Sequence, residues 1–536
     1  MTRKDRVFGG AGAIGATAIL FLIVGCTQDG GEREANESVA SYDIEMSADG
    51  EMAYGPAPSI LREEVMPPMV ENRERYDGEE VSPVQLVALA PVSTFSVDVD
   101  TGAYANTRRF LTNGSLPPQA AVRTEELINY FRYDYPAPSD RSTPFSVTTD
   151  MAVTPWNGNT RLLRIGLRGY DLPRAERPAA NLVFLLDVSG SMSSADKLPL
   201  VQTAMRQLAG ELRDQDRVSI VVYAGAAGLV LEPTRNTRAI RRAIDQLEAG
   251  GSTAGGEGLR LAYDVARGSF IEGGVNRIIL ATDGDFNVGI SDRDALVEMI
   301  ERQRDSGITL TTLGFGGGNY NEAMMEQIAN HGNGNYAYID SAMEARKVLS
   351  EEMQSTLFTI AQDVKIQVEF NPAIISQYRL IGYENRALRE EDFDNDTVDA
   401  GDIGAGHQVT ALYEVVPAGT QGWIAPRRYQ GNTASAARRN VSEVAEIRLR
   451  YKLPGQDSSR LLRRVVPSAI IANAREPRGD MAFVSAVAAY GQLLRGDTML
   501  NNFDYGDAVQ LAGPQQGFWR EEFLQLATLA ESLDGR

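Results

Sequence analysis

Three oxygen-bearing side chains stand at alternate positions in Asp187-Val188-Ser189-Gly190-Ser191, directly after the apolar run 182–186. A carboxylate followed by two hydroxyls offers hard oxygen ligands, the type a hard divalent cation takes. Two further stretches carry the same kind of donor. The sequence GGSTAGGEG holds Ser252 and Thr253 ahead of a helical pattern, and ATDGDFN holds Asp283 after the apolar residues 278–281. Two carboxylates and three neutral hydroxyls around a divalent ion leave its charge incompletely dispersed and at least one position open. A carboxylate from elsewhere can complete that shell, and an oxygen shell that keeps some water suits magnesium. The competing reading, that these hydroxyls only cap helices, does not require carboxylates after two separate buried strands.

The elements that must position these side chains alternate strand and helix from residue 177 to 357. Strand patterns fall at 182–186, 218–223, 229–231, 277–282, 309–313 and 335–338. Helical patterns fall at 197–212, 238–247, 258–270, 292–306, 322–329 and 342–357. Asp196 is a candidate cap for the first of these helices. Near-continuous apolar strands alternating with amphipathic helices predict an α/β fold, a doubly wound and mostly parallel sheet with right-handed connections. Ligands bind such sheets outside the carboxyl ends of the strands, so donors on three separate loops can converge on one ion.

DVSGSM, the GGST loop and ATDG occur in the order found in the von Willebrand factor type A domain, and the segment 177–357 resembles that family and its metal-ion-dependent adhesion site. The resemblance implies that Ser189 and Ser191 bind the ion directly. It implies that Thr253, Asp187 and Asp283 bind it directly or through water, with Mg2+ as the ion and Mn2+ or Ca2+ as alternatives. The flanking stretches TFSVDVDTGAYANTRRFL, RTEELINYF, YRLIGYEN and DAGDIGAGH look like the companions of this domain in a group of bacterial lipoproteins. Related domains couple site geometry to their last helix, which here leads straight into the following β region.

Residues 1–26 carry Arg3, Lys4 and Arg6, then an apolar run shorter than the roughly 20 residues of a spanning helix, then Gly25-Cys26. The pattern is that of an export signal, and Leu22-Ile23-Val24-Gly25-Cys26 resembles the bacterial lipobox. That resemblance implies cleavage before Cys26 and acylation of it, which anchors the chain to a membrane. By resemblance to lipoprotein sorting in two-membrane bacteria, Thr27 rather than Asp after the cysteine implies the outer membrane where the source has one, and otherwise the outer face of the cytoplasmic membrane. Residues 27–91 are acidic, broken by proline and poor in aromatics, and read as a flexible tether.

Beyond the central segment, residues 92–176 read as a strand, two helices and a hairpin at 145–167. Residues 358–475 read as a mostly antiparallel β domain, and 476–536 as a helical region with helices at 479–494 and 518–533. The hairpin is expected to share a β sandwich with the strands after 358, leaving the central domain inserted between them. Asp100-Thr101-Gly102 imitates half of an aspartic protease, but no second such triplet exists to share a proton. It reads better as a strand-to-helix turn. The five aspartates between 390 and 402 lack the glycine and closing glutamate of a calcium loop and read as a solvated acidic loop.

Length and composition narrow the function. The chain has 536 residues, 43% of them apolar, enough for three or so domains at roughly 100 to 200 residues each. A net charge of −20 argues against a nucleic-acid partner. With one cysteine and only His331 and His407, histidine-rich zinc sites, Cys-His catalysis and disulfide frameworks have no basis. A hydrolase using Ser189 or Ser191 needs a base within reach, but neither histidine lies near a motif and the GxSxG elbow is missing, which leaves a serine hydrolase as the weakest alternative. The expectation is a non-enzymatic, lipid-anchored envelope protein that captures an acidic group of a protein partner through its cation. A scaffold with a structural metal is the alternative.

Overall fold

The computed structural model describes residues 73–252, 255–284, 293–425 and 441–535. The export signal, Cys26 and most of the tether lie outside the described residues, as does Thr253. Among the described residues no helix is long and apolar enough to cross a membrane.

The central sheet has six strands: β5 (Ala180–Asp187), β6 (Arg217–Tyr223), β7 (Ala227–Thr234), β8 (Val275–Thr282), β9 (Ile308–Phe315) and β10 (Tyr336–Ile339). Their spatial order is β10-β9-β8-β5-β6-β7. All are parallel except β7, which turns back antiparallel on β6. Helices α3 (Leu198–Glu211), α4 (Thr237–Asp245), α5 (Gly255–Gly268), α6 (Arg293–Asp305) and α7 (Glu322–His331) complete the alternation. Every residue of β5 is buried, as an apolar run covered on both faces requires. The chain runs β5-β6-β7 to one side and returns to β8-β9-β10 on the other. The switch of direction therefore falls between β5 and β8, where the loops after neighbouring strands diverge and leave a crevice.

The flanking regions are not separate in space, which corrects the division into 92–176 and 358–475. Strands β1 (Gln85–Leu86), β2 (Val92–Ser96), β3 (Phe145–Thr154) and β4 (Asn157–Gly169) precede the central domain. Strands β11 (Thr359–Phe370), β12 (Ile375–Ile381), β13 (Ala387–Leu388), β14 (Ile403–Gly404), β15 (Gln408–Pro417), β16 (Glu443–Lys452) and β17 (Arg460–Pro467) follow it. They interleave into two sheets, β1-β12-β15-β4-β3 and β13-β2-β11-β16-β17, with β14 beside β11. The hairpin thus shares a sheet with the later strands, and the central domain is inserted between the strands of a sandwich. Tyr413 of β15 meets Phe95 and Phe370 of the facing sheet edge-on and closes that core. The expected tether is also shorter, because β1 pairs with β12 and the backbone of Arg73 and Arg75 donates to Gly318 and Tyr320.

Helices α1 (Gly102–Thr112) and α2 (Thr124–Asn129) pack with the C-terminal helices Asp480–Leu494, Tyr505–Ala512 and Phe518–Asp534 in a second apolar cluster, which also takes in Leu162, Ile381 and Leu412 of strands β4, β12 and β15. The helix 505–512 has no counterpart in the sequence reading. The single helix expected at 342–357 is broken into α8 (Ala342–Arg346), a wide turn in which Glu352 N donates to Lys347 O, and α9 (Met353–Leu357). Lys347 sits at the break: its side chain is buried, pairs with Glu352 at 2.9 Å and lies 4.0 Å from the Tyr130 ring centre.

Candidate functional site

In β5 and β8, Leu186 stands beside Ala281, so Asp187 and the pair Thr282-Asp283 emerge together at the crevice. Thr282 Oγ1 donates to Asp187 Oδ2 at 3.0 Å, Tyr223 at the end of β6 donates to the same oxygen at 3.2 Å, and Ser189 N donates to Oδ1 at 2.9 Å. Burial pushes the Asp187 carboxyl above its usual range, against the bonds from Ser189 and with a further upward push from the Asp283 charge. Asp283 is fully buried and receives Lys197 Nζ at 2.8 Å and Asn319 Nδ2 at 3.4 Å.

The loop after β5 makes a short helical turn at Gly190–Ser193, which brings Ser189 Oγ and Ser191 Oγ to 3.0 Å of one another. Gly190 N donates to Gly251 O at 3.0 Å and Gly250 N to Val188 O at 2.8 Å, so the loop that continues to Thr253 is laced onto the first. The structure brings Asp187, Ser189, Ser191 and Asp283 to one rim. It describes neither Thr253 nor the residues 285–292 that follow Asp283.

Four residues of this rim escaped the sequence reading: Tyr223, Thr282, Lys197 and Asn319. The first two read as strand ends. Lys197 read as the first residue of a helix that Asp196 would cap, whereas α3 starts at Leu198 with Lys197 at the N-cap and no side-chain cap bond. Asn319 sits in Gly316-Gly317-Gly318-Asn319, a glycine run that signals close approach of other chains without saying which.

The donor set is two buried carboxylates and neutral hydroxyls, hard oxygens throughout. Among the described residues no group of three or more His, Cys, Asp or Glu side chains could hold a metal ion, so hydroxyls have to complete any shell. Each histidine is engaged elsewhere. His331 Nδ1 lies 2.9 Å from Glu301, and His407, its pKa pushed down to about 3 by burial, accepts from Gly404 N.

The other motifs resolve as structure. Asp98 and Asp100 sit in the turn after β2, where Arg386 lies 3.2 Å from each, and Asp100 Oδ1 accepts from Tyr336 N at 2.9 Å. In the acidic loop Asp392 pairs with Arg389 and Asp394 with Arg450, and Asp396 accepts from Ser459 N. Asp399, paired with Arg304, and Asp402, which accepts from Asp363 N, both lie close to the Asp363 carboxylate; burial, and then the Asp363 charge, pushes Asp402 up to about 8. That loop is not simply solvated.

A six-stranded sheet with this order, carrying oxygen donors on the loops after its first and fourth strands, defines a von Willebrand factor type A domain. That family matches residues 181–353, with a von Willebrand factor family matching 70–164 and the family "Uncharacterized protein YfbK, C-terminal" matching 355–533. The chain belongs to the family of Escherichia coli YfbK, to which it is 47% identical over 471 residues, covering 86% of this chain and 81% of that one. An uncharacterized Synechocystis protein is 36% identical over 188 residues, 34% of this chain and 43% of that one. Among solved structures, BatB from Bacteroides thetaiotaomicron is 25% identical over 33% of this chain and 97% of its own, with a TM-score of 0.29. A von Willebrand factor type A protein from Catenulispora acidiphila is 16% identical over 71% of this chain and 88% of its own, with a TM-score of 0.38.

Proposed function

We propose that this protein is a lipid-anchored binding protein of the cell envelope that captures an acidic group of a protein partner at a divalent-cation site, and that it is not an enzyme. Domains of this type commonly serve protein binding. The observation that carries the reading is the convergence of Asp187 and Asp283, from adjacent parallel strands, with two serine hydroxyls 3.0 Å apart. Asp187, Ser189, Ser191, Thr253 and Asp283 would hold the ion, Mg2+ by preference with Mn2+ or Ca2+ as alternatives. When bound, the ion supplies a coordination position that a partner's carboxylate can fill.

The chain's own residues do the rest. Thr282 and Tyr223 fix Asp187 by donating to Oδ2, which keeps its other oxygen with the Ser189 amide. The fully buried β5 holds this constellation on a rigid element. Acylation of Cys26 would place the domain at a membrane surface, at the end of the segment 27–72.

Asp283→Asn tests the reading, with Mn2+ as the probe. The wild type should show saturable Mn2+ binding by calorimetry, and the variant none, with the circular dichroism spectrum of the fold retained. A variant that binds Mn2+ as the wild type does would end the metal reading. For capture, a native-envelope pull-down should lose its partner on addition of chelator, and retention of the partner would end that part. Radiolabelled palmitate should enter the wild type but not Cys26→Ser, and equal labelling would remove the anchor.

A further inference from the structure

We propose, resting on the cation site just described, that Lys197 is an internal counter-ion competing with the divalent cation for Asp283, and that ion binding displaces its ammonium into the adjoining cavity. The position of this lysine has no local rationale. It stands at the N-cap of α3, the positive end of the helix dipole, where a cation is unfavourable and a capping oxygen is preferred. It makes no capping bond there. Its side chain runs instead across the rim, to 2.8 Å from Asp283 Oδ2 and 3.4 Å from Asn319 Oδ1, with 10% of it exposed.

The surroundings are shaped to let it lie there. Gly316, at φ +67°, has no Cβ, and one built on it would stand 2.4 Å from Lys197 Cε and 2.5 Å from Cγ. The glycine run is itself fixed from within the central domain and from outside it. Tyr338 of β10 donates to Gly316 O at 2.6 Å, while from outside Arg73 N donates to Gly318 O at 2.7 Å and Glu74, gripped by Arg109 of α1, accepts from Gly318 N at 2.8 Å.

Charge decides the competition. Asp187 and Asp283 bring two negative charges to a buried rim, and Lys197 returns one positive charge. A dication on the same carboxylates would face that ammonium across a few ångströms of poorly screened space, so both cannot hold Asp283 together. A second position for the ammonium adjoins the first. A cavity of about 430 Å³ is bordered by Gly316, Gly317, Gly318, Asp196, Asp340 and Arg109. Gly316 is thus common to the lysine's present path and to the cavity wall. Asp340 is already held by Arg108 at 2.6 and 2.7 Å, and Arg109 by Glu74, so Asp196 is the carboxylate that would receive the charge. The same lysine would hold the donors in place without an ion and set the concentration at which an ion replaces it.

The test uses the full chain and Mn2+ as the probe. Lys197→Met keeps an unbranched stem across Gly316 and removes the charge. It should bind Mn2+ at least ten-fold more tightly than wild type, while Asp283→Asn binds none. In wild type, acetylation of the Lys197 amine, mapped by mass spectrometry, should run several-fold faster with saturating Mn2+ than with chelator. This second measurement decides the matter should Lys197→Met not fold. Equal or weaker Mn2+ binding by Lys197→Met, or Mn2+-independent acetylation, would overturn the competition while leaving the cation site standing. Absence of Mn2+ binding in both wild type and Lys197→Met would overturn the cation site and the competition with it.

Discussion

Arg386, in the turn after β12, is the residue whose removal should be felt most at the junction between the central domain and its companions. Its guanidinium lies 3.2 Å from Asp98, 3.2 Å from Asp100 and 3.3 Å from Glu326 of α7. Arg123 reaches Glu126 and Glu326 from another side, and Glu125 and Glu322 are buried in the same cluster. Two arginines thus face six carboxyl groups. Burial pushes Glu125 up to about 7 and Glu322 up to about 8, and holds Asp100 and Glu126 well above the carboxylate range. In every case it outweighs the arginines. The native protein therefore keeps protons that the unfolded chain releases near pH 4.5, so stability falls as pH rises through the folded values. At ~1.4 kcal/mol per pH unit per retained proton, Glu125 and Glu322 alone should cost wild type ~4 kcal/mol between pH 6 and pH 8, and Asp100 and Glu126 add to that loss. Arg386→Met leaves buried carboxylates without their cation, which costs ~3–5 kcal/mol when they stay charged. Taking up further protons relieves part of that cost, and this is easier in acid. The variant should therefore be weaker by ~1–2 kcal/mol at pH 5.5 and by ~3–5 kcal/mol at pH 8. Urea denaturation followed by circular dichroism measures both without screening the charges. A cost that is the same at the two pH values within ~0.5 kcal/mol, or a wild type that gains stability from pH 6 to pH 8, would refute the account of this cluster.

Other perturbations isolate other parts of the chain. Glu74→Ala removes the acceptor of two Arg109 bonds and of the Gly318 amide, at an expected cost of ~1–3 kcal/mol. Hydrogen exchange at Gly318 should accelerate in that variant, and unchanged exchange would mean that residues 73–76 do not hold the glycine run. Gly404→Ala places a Cβ 1.7 Å from the Ser355 carbonyl oxygen. The backbone of α9 or β14 has to move, so a loss of ~3 kcal/mol or more is expected, read as a thermal midpoint lowered by several degrees. A midpoint within about 2 °C of wild type would show that this approach is not tight.

What the sequence made legible was local. The central sheet declares itself because each strand is a short apolar run and each helix repeats with its own period, and Asp187, Ser189 and Ser191 are contiguous. Lys197 was not legible, because its role depends on Gly316, more than a hundred residues away, leaving room for its stem. The companions were misdivided for a similar reason. Strand β2 pairs with residues 365–369 of β11, and β4 with β15, across the whole inserted domain. Alternation shows that such strands exist but does not say which of them pair.

The junction carries this furthest. In sequence Asp98 and Asp100 fall at a strand and its turn, Arg123 with Glu125 and Glu126 in one helical pattern, Glu322 with Glu326 in another, and Arg386 far downstream, with nothing to connect them. Folded, they form one buried cluster that joins α7 to the turn after β2, to α2 and to the turn after β12. Apolar packing between sheets is indifferent to pH, whereas a buried excess of acid is held only while protons and arginines offset it. The loop 316–321 leads from β9 past Asn319 directly into α7, so the charge-held junction and the oxygen-lined rim share one connection. These contacts between the central domain and its companions are ones a change of protonation can loosen, and they begin three residues from a side chain that touches Asp283.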